Sequence, residues 1–292
     1  MPQVAVLTDS IACLNRELAR QYNVGILPIN FYAGGKLYHD WVDIMPSEAY
    51  QLFLREPDSF KSSAPSPEDI GNAFRLALQQ ARDLLVIAVS SKLSSVASAA
   101  TLIGEQIMRE MHGHQIEVID SRTATAAEGL IAMAAARAAF LDKSLPEVKD
   151  AALSVQKRVG CYILLDTIKH VYRTGRVPRV VAQVGSVLNI KPILTLSNGA
   201  VEFVGAVRDR AHGFERIVDL MRQKVGEAPI RVAVMHAYDE EGAARLKEHV
   251  SKEFSCVDVW VSEFSPVMGY ATGTGTLGLA FHTERLLCED LG

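Results

Sequence analysis

The chain has 292 residues, of which 49% are hydrophobic, and a formal net charge of −4. That is ample material for a large core and more than one domain of ordinary size. The mild acidity and the lack of a basic run argue against a nucleic-acid partner. No apolar run approaches the roughly 20 residues that a membrane-spanning helix requires. The richest stretch, Ala126 to Phe140, is interrupted by Glu128 and Arg137. Cys13, Cys161, Cys256 and Cys288 have no CxxC spacing and read as reduced thiols, with neither a disulfide frame nor a zinc site expected. A strand begins within four residues of the start, which leaves no room for a signal peptide, so a cytoplasmic protein is expected.

Val4 to Leu7 reads as a short buried strand ending in Thr8-Asp9-Ser10, where capping of the next helix is the commoner role for Asp9 and Ser10. Gly25 to Phe31 reads as a second strand, broken at Pro28. Gly34-Gly35 is a turn, and His39-Asp40 reads as a surface loop. Pro46 opens a helix to about Leu54. Ser66 is placed to cap a helix that begins with Pro67, with Asp69 completing a capping box. This leaves Ser62 and Ser63 unassigned in the preceding loop.

Leu84 to Val89 is an unbroken apolar run, as expected of a parallel strand buried on both faces. Ser90, Ser91, Ser94 and Ser95 follow it, and a helix runs from Val96 to Met111. Loops at the carboxyl ends of such strands are where open α/β sheets bind ligands. Ser94 or Ser95 is expected to cap the helix, whose free N–H groups could also hold an anion. Ile116 to Ile119 is another strand, ending in Asp120-Ser121. Polar residues therefore gather at one edge of a parallel sheet.

Helices are expected over 124–141 and 146–158, the second with Ser144 and Glu147 as a capping box. The pattern changes near Gly160. Tyr162 to Leu165 is a strand, a short helix stops at Gly175, and Val180 to Leu188 is predicted helical. Lys191 to Leu196 and Ala200 to Val207 flank Ser197-Asn198-Gly199, a hairpin signature. A helix at 212–224, a strand at 230–235, a helix at 239–252 and a strand at 256–263 follow. The expected fold is α/β with two domains. Residues 1–159 form an N-terminal α/β domain with a parallel sheet, and residues 160–292 a smaller α/β domain with a mixed or antiparallel sheet.

Gly273 to Gly278 matches G-x-G-x-x-G by letter, but only 14 residues follow it, so no acidic residue can stand about 20 positions on. A Gly/Thr-rich loop approaching a ligand is the better reading. There is no G-x-S-x-G elbow and no phosphate-binding P-loop. His112-Gly113-His114 has no further ligand nearby and reads as a polar turn.

These residues together resemble the DegV family of bacterial fatty acid-binding proteins. Thr8-Asp9-Ser10 resembles its TDS, Ser62 to Ser66 its TSQPS loop, and Ser90 to Ser95 with Ser98-Ala99 its SSxLSGTxxSA. Asp120-Ser121 resembles its DS strand end, Gly175-Arg176 its GGR turn, Ile190 to Leu194 its IKPIL strand, and Gly273 to Gly278 its HTGPG loop. The seven matches occur in the family's order and span nearly the whole chain.

The resemblance implies a long-chain fatty acid in a buried tunnel, with its carboxylate held where the domains meet. The family's carboxylate-binding hydroxyls fall on Ser62 and Ser94, with Ser95 beside them, and its arginine on Arg176. It implies no cofactor or metal, no catalytic centre of the chain's own, and presentation of the carboxylate to a separate ATP-dependent fatty acid kinase, in phospholipid metabolism. The sequence departs from the pattern at Ser62 (for Thr), Ala64 (for Gln), Ser95-Val96 (for Gly-Thr), Thr274 (for Pro) and Ala271 (for His). Tyr270 and Thr272 are the candidates to replace that histidine. Two alternatives stay open: a binder of another apolar carboxylate or lipid, and, less favoured, an enzyme using Ser94 as nucleophile, for which no base is placed.

Overall fold

A computed structural model describes residues 2–56, 60–177 and 190–284. The predicted helix at 180–188 and Cys288 lie outside those residues. Strands β1 (Val4–Asp9), β2 (Val24–Leu27), β6 (Asp83–Ala88) and β7 (Ile116–Asp120) form a parallel sheet in the order β2-β1-β6-β7. Every residue of β6 is buried, and from Leu84 onward its sequence is the unbroken apolar run that such burial requires. The chain direction reverses its progress across the sheet between β1 and β6. A crevice opens at such a switch point, outside the carboxyl ends of the strands.

One face of this sheet carries α3 (Pro67–Leu78) and α4 (Val96–Glu110). The capping box forms as expected at α3, where the Ser66 hydroxyl accepts from the Asp69 N–H at 3.1 Å and the Ser66 N–H donates to Asp69 at 3.2 Å. The other face carries α5 (Thr125–Phe140) and α6 (Leu145–Gln156). Helix α5 is apolar nearly all round and is buried on almost every side. A helix of that kind belongs inside a layer, and α5 packs against β1 on one side and against β11 (Ile230–His236) and β13 (Leu277–Thr283) of a second sheet on the other.

That second sheet has six strands in the order β10-β9-β8-β13-β11-β12. They are β8 (Gly160–Leu164), β9 (Lys191–Ser197), β10 (Ala200–Val207), β11 (Ile230–His236), β12 (Cys256–Glu263) and β13 (Leu277–Thr283). Only the β11–β12 pair is parallel. The hairpin between β9 and β10 turns on Asn198 (φ 49°) and Gly199 (φ 82°), the two positive angles of a type I′ turn. Helices α7 (Arg210–Val225) and α8 (Glu240–Glu253) complete the fold, with a short α9 (Pro266–Thr272) before β13.

Four expectations are corrected. Pro28 divides the predicted strand at 25–31 into β2 and β3 (Asn30–Ala33), and β3 belongs to a different sheet. This small antiparallel sheet, in the order β4-β3-β5, is completed by β4 (Lys36–His39) and β5 (Lys61–Ser63), so Ser62 sits on a strand paired with Phe31 and not in a loop. Asp40 is fully buried, and it is His39, bonded to Asp43, that faces solvent. Finally, β13 enters the middle of the second sheet although its sequence followed a glycine-rich loop and was not read as a strand. Among the described residues no helix is long and apolar enough to cross a membrane.

Candidate functional site

Three strand ends of the parallel sheet carry Asp-Ser or Ser-Ser, and most of these polar groups are engaged within the protein. The Asp9 carboxylate accepts from the Ile11 N–H at 3.0 Å and the Val89 N–H at 2.8 Å, clamping the end of β1 to that of β6. Asp9 thus caps the turn at 10–12, while Asn15 caps α1 (Arg16–Gln21). Asp120 accepts from the Ser91 hydroxyl at 2.5 Å and the Arg122 N–H at 2.8 Å, joining the loops after β6 and β7. The Ser90 hydroxyl donates to the Gly199 carbonyl at 2.7 Å, which ties the serine loop to the hairpin of the second sheet. Ser121 bonds the Thr123 carbonyl at 3.1 Å.

The hydroxyls that these bonds leave over are informative. The Ser94 and Ser62 side chains have no hydrogen-bond partner among the described residues, and both line one cavity of about 380 Å³. That volume falls in the roughly 300–1,000 Å³ range of small-molecule sites. The cavity opens at the carboxyl ends of β1 and β6, where Ile11 and Val89 form its wall. Ile163, Leu194 and Leu196 of the second sheet face them across it, and Val267 and Met268 of α9 contribute from a third direction. Its lining is predominantly apolar. Among the described lining residues there is no carboxylate, while Lys61 and Arg176 supply two cations.

The structure brings Ser62, Ser94, Arg176, Tyr270 and Thr272 to this cavity, together with Ala271. Arg176 follows the 3-10 helix Ile168–Thr174, which Gly175 stops in the left-handed conformation (φ 64°) as expected of a C-cap glycine. Its guanidinium donates to the Leu93 carbonyl at 3.1 Å and to that of Thr174 at 3.2 Å, so it braces the serine loop next to Ser94. Tyr270 stacks on Phe60 with ring centroids 4.4 Å apart, and its hydroxyl has no hydrogen-bond partner among the described residues.

Two residues behave differently from expectation. Ser95 occupies the N-cap position of α4, but its side chain makes no capping bond, is exposed, and does not line the cavity. The Thr272 hydroxyl donates to the Met268 carbonyl at 2.9 Å, so its proton is committed to the end of α9 and it can only accept from a ligand. The glycines after it do not approach the cavity. A side chain at Gly273 (φ 88°) would run into His170, and the Gly275 N–H bonds Ala237 at 2.8 Å. This loop therefore packs against the end of β11, and it is α9 before it that reaches the cavity. Lys61 was not singled out in the sequence, and its place beside Ser62 in β5 was the available signal. Among the described residues no group of His, Cys, Asp and Glu is placed to hold a metal ion.

Comparisons with known proteins bear on this arrangement. The family model described as "Uncharacterised protein, DegV family" matches residues 3–284. A DegV domain-containing protein of Clostridium acetobutylicum is 30% identical over 285 residues, covering 97% of this chain and 98% of its own. A Thermus thermophilus DegV family protein, whose structure is described as fatty acid binding, superposes with TM-score 0.86 at 27% identity, over 97% of this chain and all of its own. The Bacillus subtilis DegV fatty acid binding protein superposes with TM-score 0.88 at 24% identity over the same share of this chain and 100% of its own, which bears on the fold. On the family match and this full-length similarity, the chain belongs to the DegV family.

Proposed function

We propose that this protein binds a long-chain fatty acid in the cavity between its parallel sheet and its six-stranded sheet, with the carboxylate at Ser62 and Ser94. The observation that carries the reading is two serine hydroxyls, without a hydrogen-bond partner among the described residues, that line one predominantly apolar cavity. A desolvated carboxylate needs donors, or it takes up a proton. A chain with roughly 14 buried methylenes gains about 11 kcal/mol gross at about 0.8 kcal/mol each, less the costs of ordering and association. The apolar wall supplies affinity and the hydroxyls supply orientation. The fatty acid binding described for the Thermus relative supports the same ligand class.

The protein then acts as a carrier without a catalytic centre of its own, presenting the carboxylate to a separate ATP-dependent kinase that makes the acyl phosphate. Two neutral hydroxyls hold a carboxylate without an ion pair, which leaves it nucleophilic. Arg176, braced on Leu93 and exposed at the mouth, is assigned to support of the head group or to the partner surface. The division into domains at 159/160 and a cytoplasmic location belong to this proposal. A second reading, a different apolar carboxylate or lipid, is favoured by Ala271, which puts a methyl group in the cavity lining where the family pattern has histidine. Denaturation, solvent extraction and mass spectrometry test both. Stoichiometric long-chain fatty acid is the expected result, and an empty extract overturns the lipid reading. A consistent different acid establishes the second.

A further inference from the structure

Beneath the cavity lies a group of buried carboxyls that lipid binding, as described so far, does not use. Asp9, Asp40 and Glu128 are each at most 1% exposed, and none forms an ion pair with a lysine or arginine among the described residues. The Asp9 carboxylate holds the N–H groups of Ile11 and Val89. Asp40 accepts from the Ser10 hydroxyl at 2.7 Å, and that hydroxyl in turn accepts from the Ile29 N–H at 3.1 Å. Ile11, Ile29 and Val89 are all lining residues of the cavity. Three wall residues, each just past the end of a strand of the parallel sheet (β1, β2 and β6), thus hang by their main chains from two buried acids, Ile29 through the Ser10 hydroxyl.

Glu128 of α5 completes the group. It accepts from the Thr8 hydroxyl at 3.1 Å through one oxygen and lies within hydrogen-bonding reach of Asp9, while its other oxygen is buried with no donor beside it among the described residues. Burial, followed by the charge of Asp9, holds its carboxyl well above the usual range, so it keeps its proton and can donate to Asp9. Burial also pushes Asp9 up to about 6 and Asp40 up to about 7. The other groups that face the cluster are the Cys13 thiol, Ser265 at the head of α9, Tyr50 of α2 (Pro46–Arg55), Asp120 at the end of β7 and, through Tyr50, Glu263 of β12. None of these is a cation.

We infer that Asp9 and Asp40 are positioning residues for the ligand cavity, and that taking up protons loosens the wall formed by Ile11, Val89 and Ile29. The physical basis is the difference between a charged and a neutral acceptor. A carboxylate makes charge-assisted hydrogen bonds about twice as strong as those of a neutral carboxyl. Protonation relieves the cost of burying the charge and at the same time weakens the bonds that hold the wall. The lipid reading enters only through the second of the two measurements below.

The first measurement is native-state hydrogen exchange of the wild-type protein between about pH 8 and about pH 5.5, expressed as protection relative to the unfolded amide. Protection at Ile11, Val89 and Ile29 is expected to fall about fivefold across that range, with Leu84 and Val86 in the middle of β6 unchanged. Asp9→Asn should lower protection at Ile11 and Val89 but not at Ile29, and Asp40→Asn the reverse, a split that general destabilisation does not produce. Should Asp9→Asn fail to fold, the wild-type series and Asp40→Asn still decide. Unchanged protection at all three amides overturns the inference. The second measurement is the release rate of a pyrene-labelled long-chain alcohol, which has no titrating head group. Release should quicken on acidification in the wild type and lose part of that dependence in Asp40→Asn. A wild-type protein that retains no such probe speaks against the lipid reading, and the amide series judges the positioning role independently.

Discussion

The serine loop after β6 and the glycine loop after α9 looked alike in sequence, as small-residue stretches suited to close contact with a ligand. The structure separates them. The serine loop contributes Ser94, with an unengaged hydroxyl, to the cavity, while its neighbours Ser90 and Ser91 are bonded to Gly199 and Asp120. The glycine loop contributes none of its glycines and packs instead on His170 and Ala237. A small or polar residue becomes available to a ligand only when the surrounding fold has left it without another task.

Substitutions can break this contrast at each point. The largest effect is expected at Gly273, where a side chain meets both a positive φ and the His170 ring. Gly273→Val should lower stability by about 3 kcal/mol in urea unfolding, with lipid content following only the folded fraction. A variant that stays stable but loses lipid would return this loop to the binding site.

The buried acids give the next effect. Glu128 has a folded-state affinity for protons raised far above its unfolded value, so the folded state binds more protons and stability falls as pH rises above the unfolded range near 4.3. Glu128→Gln removes that dependence. It should be more stable than wild type at about pH 8 and should lose that advantage near pH 4. Urea midpoints across pH measure this, and parallel curves for the two proteins would refute it.

Ser90→Ala removes a buried bond between the two halves of the site and should cost about 1–2 kcal/mol without emptying the cavity. Ser94→Ala, four residues on, should change stability by less than about 0.5 kcal/mol. If a separate kinase acts on the bound acid as proposed, Ser94→Ala should weaken acyl phosphate formation more than lipid retention, because the hydroxyl orients and the wall binds. Loss of lipid from a folded Ser94→Ala protein would invert that division of roles. The smallest effect belongs to Ser95→Ala, which should be silent in both assays, since the side chain is exposed and caps nothing.

Legibility in the sequence followed how local the cause was. The capping boxes at Ser66 and Ser144, the Asn198-Gly199 hairpin and the Gly175 stop each depend on a few adjacent residues, and each forms where it was expected. The apolar run of β6 and the all-round apolar α5 announce burial, because a surface element would need one polar face. Asp40 reads as a surface residue because its neighbours in sequence are polar, whereas the partner that buries with it, Ser10, lies 30 positions away. Strand β13 was missed because its place between β8 and β11 is given by pairing across the chain and not by its own pattern.

By itself, then, the sequence determined the α/β class, the parallel sheet with polar residues at one edge, the family, and the short set of residues worth testing, since periodicity, caps and ordered motifs are all written along the chain. Only the tertiary structure decided which members of that set are available. Ser62 and Ser94 line a common cavity with their hydroxyls unengaged among the described residues, Ser95 does not reach it, and Thr272 has already committed its proton. The reason is that a hydrogen-bonding group is free or engaged according to what lies within about 3 Å of it in space. For these residues, some of the groups that decide the matter come from the other half of the chain.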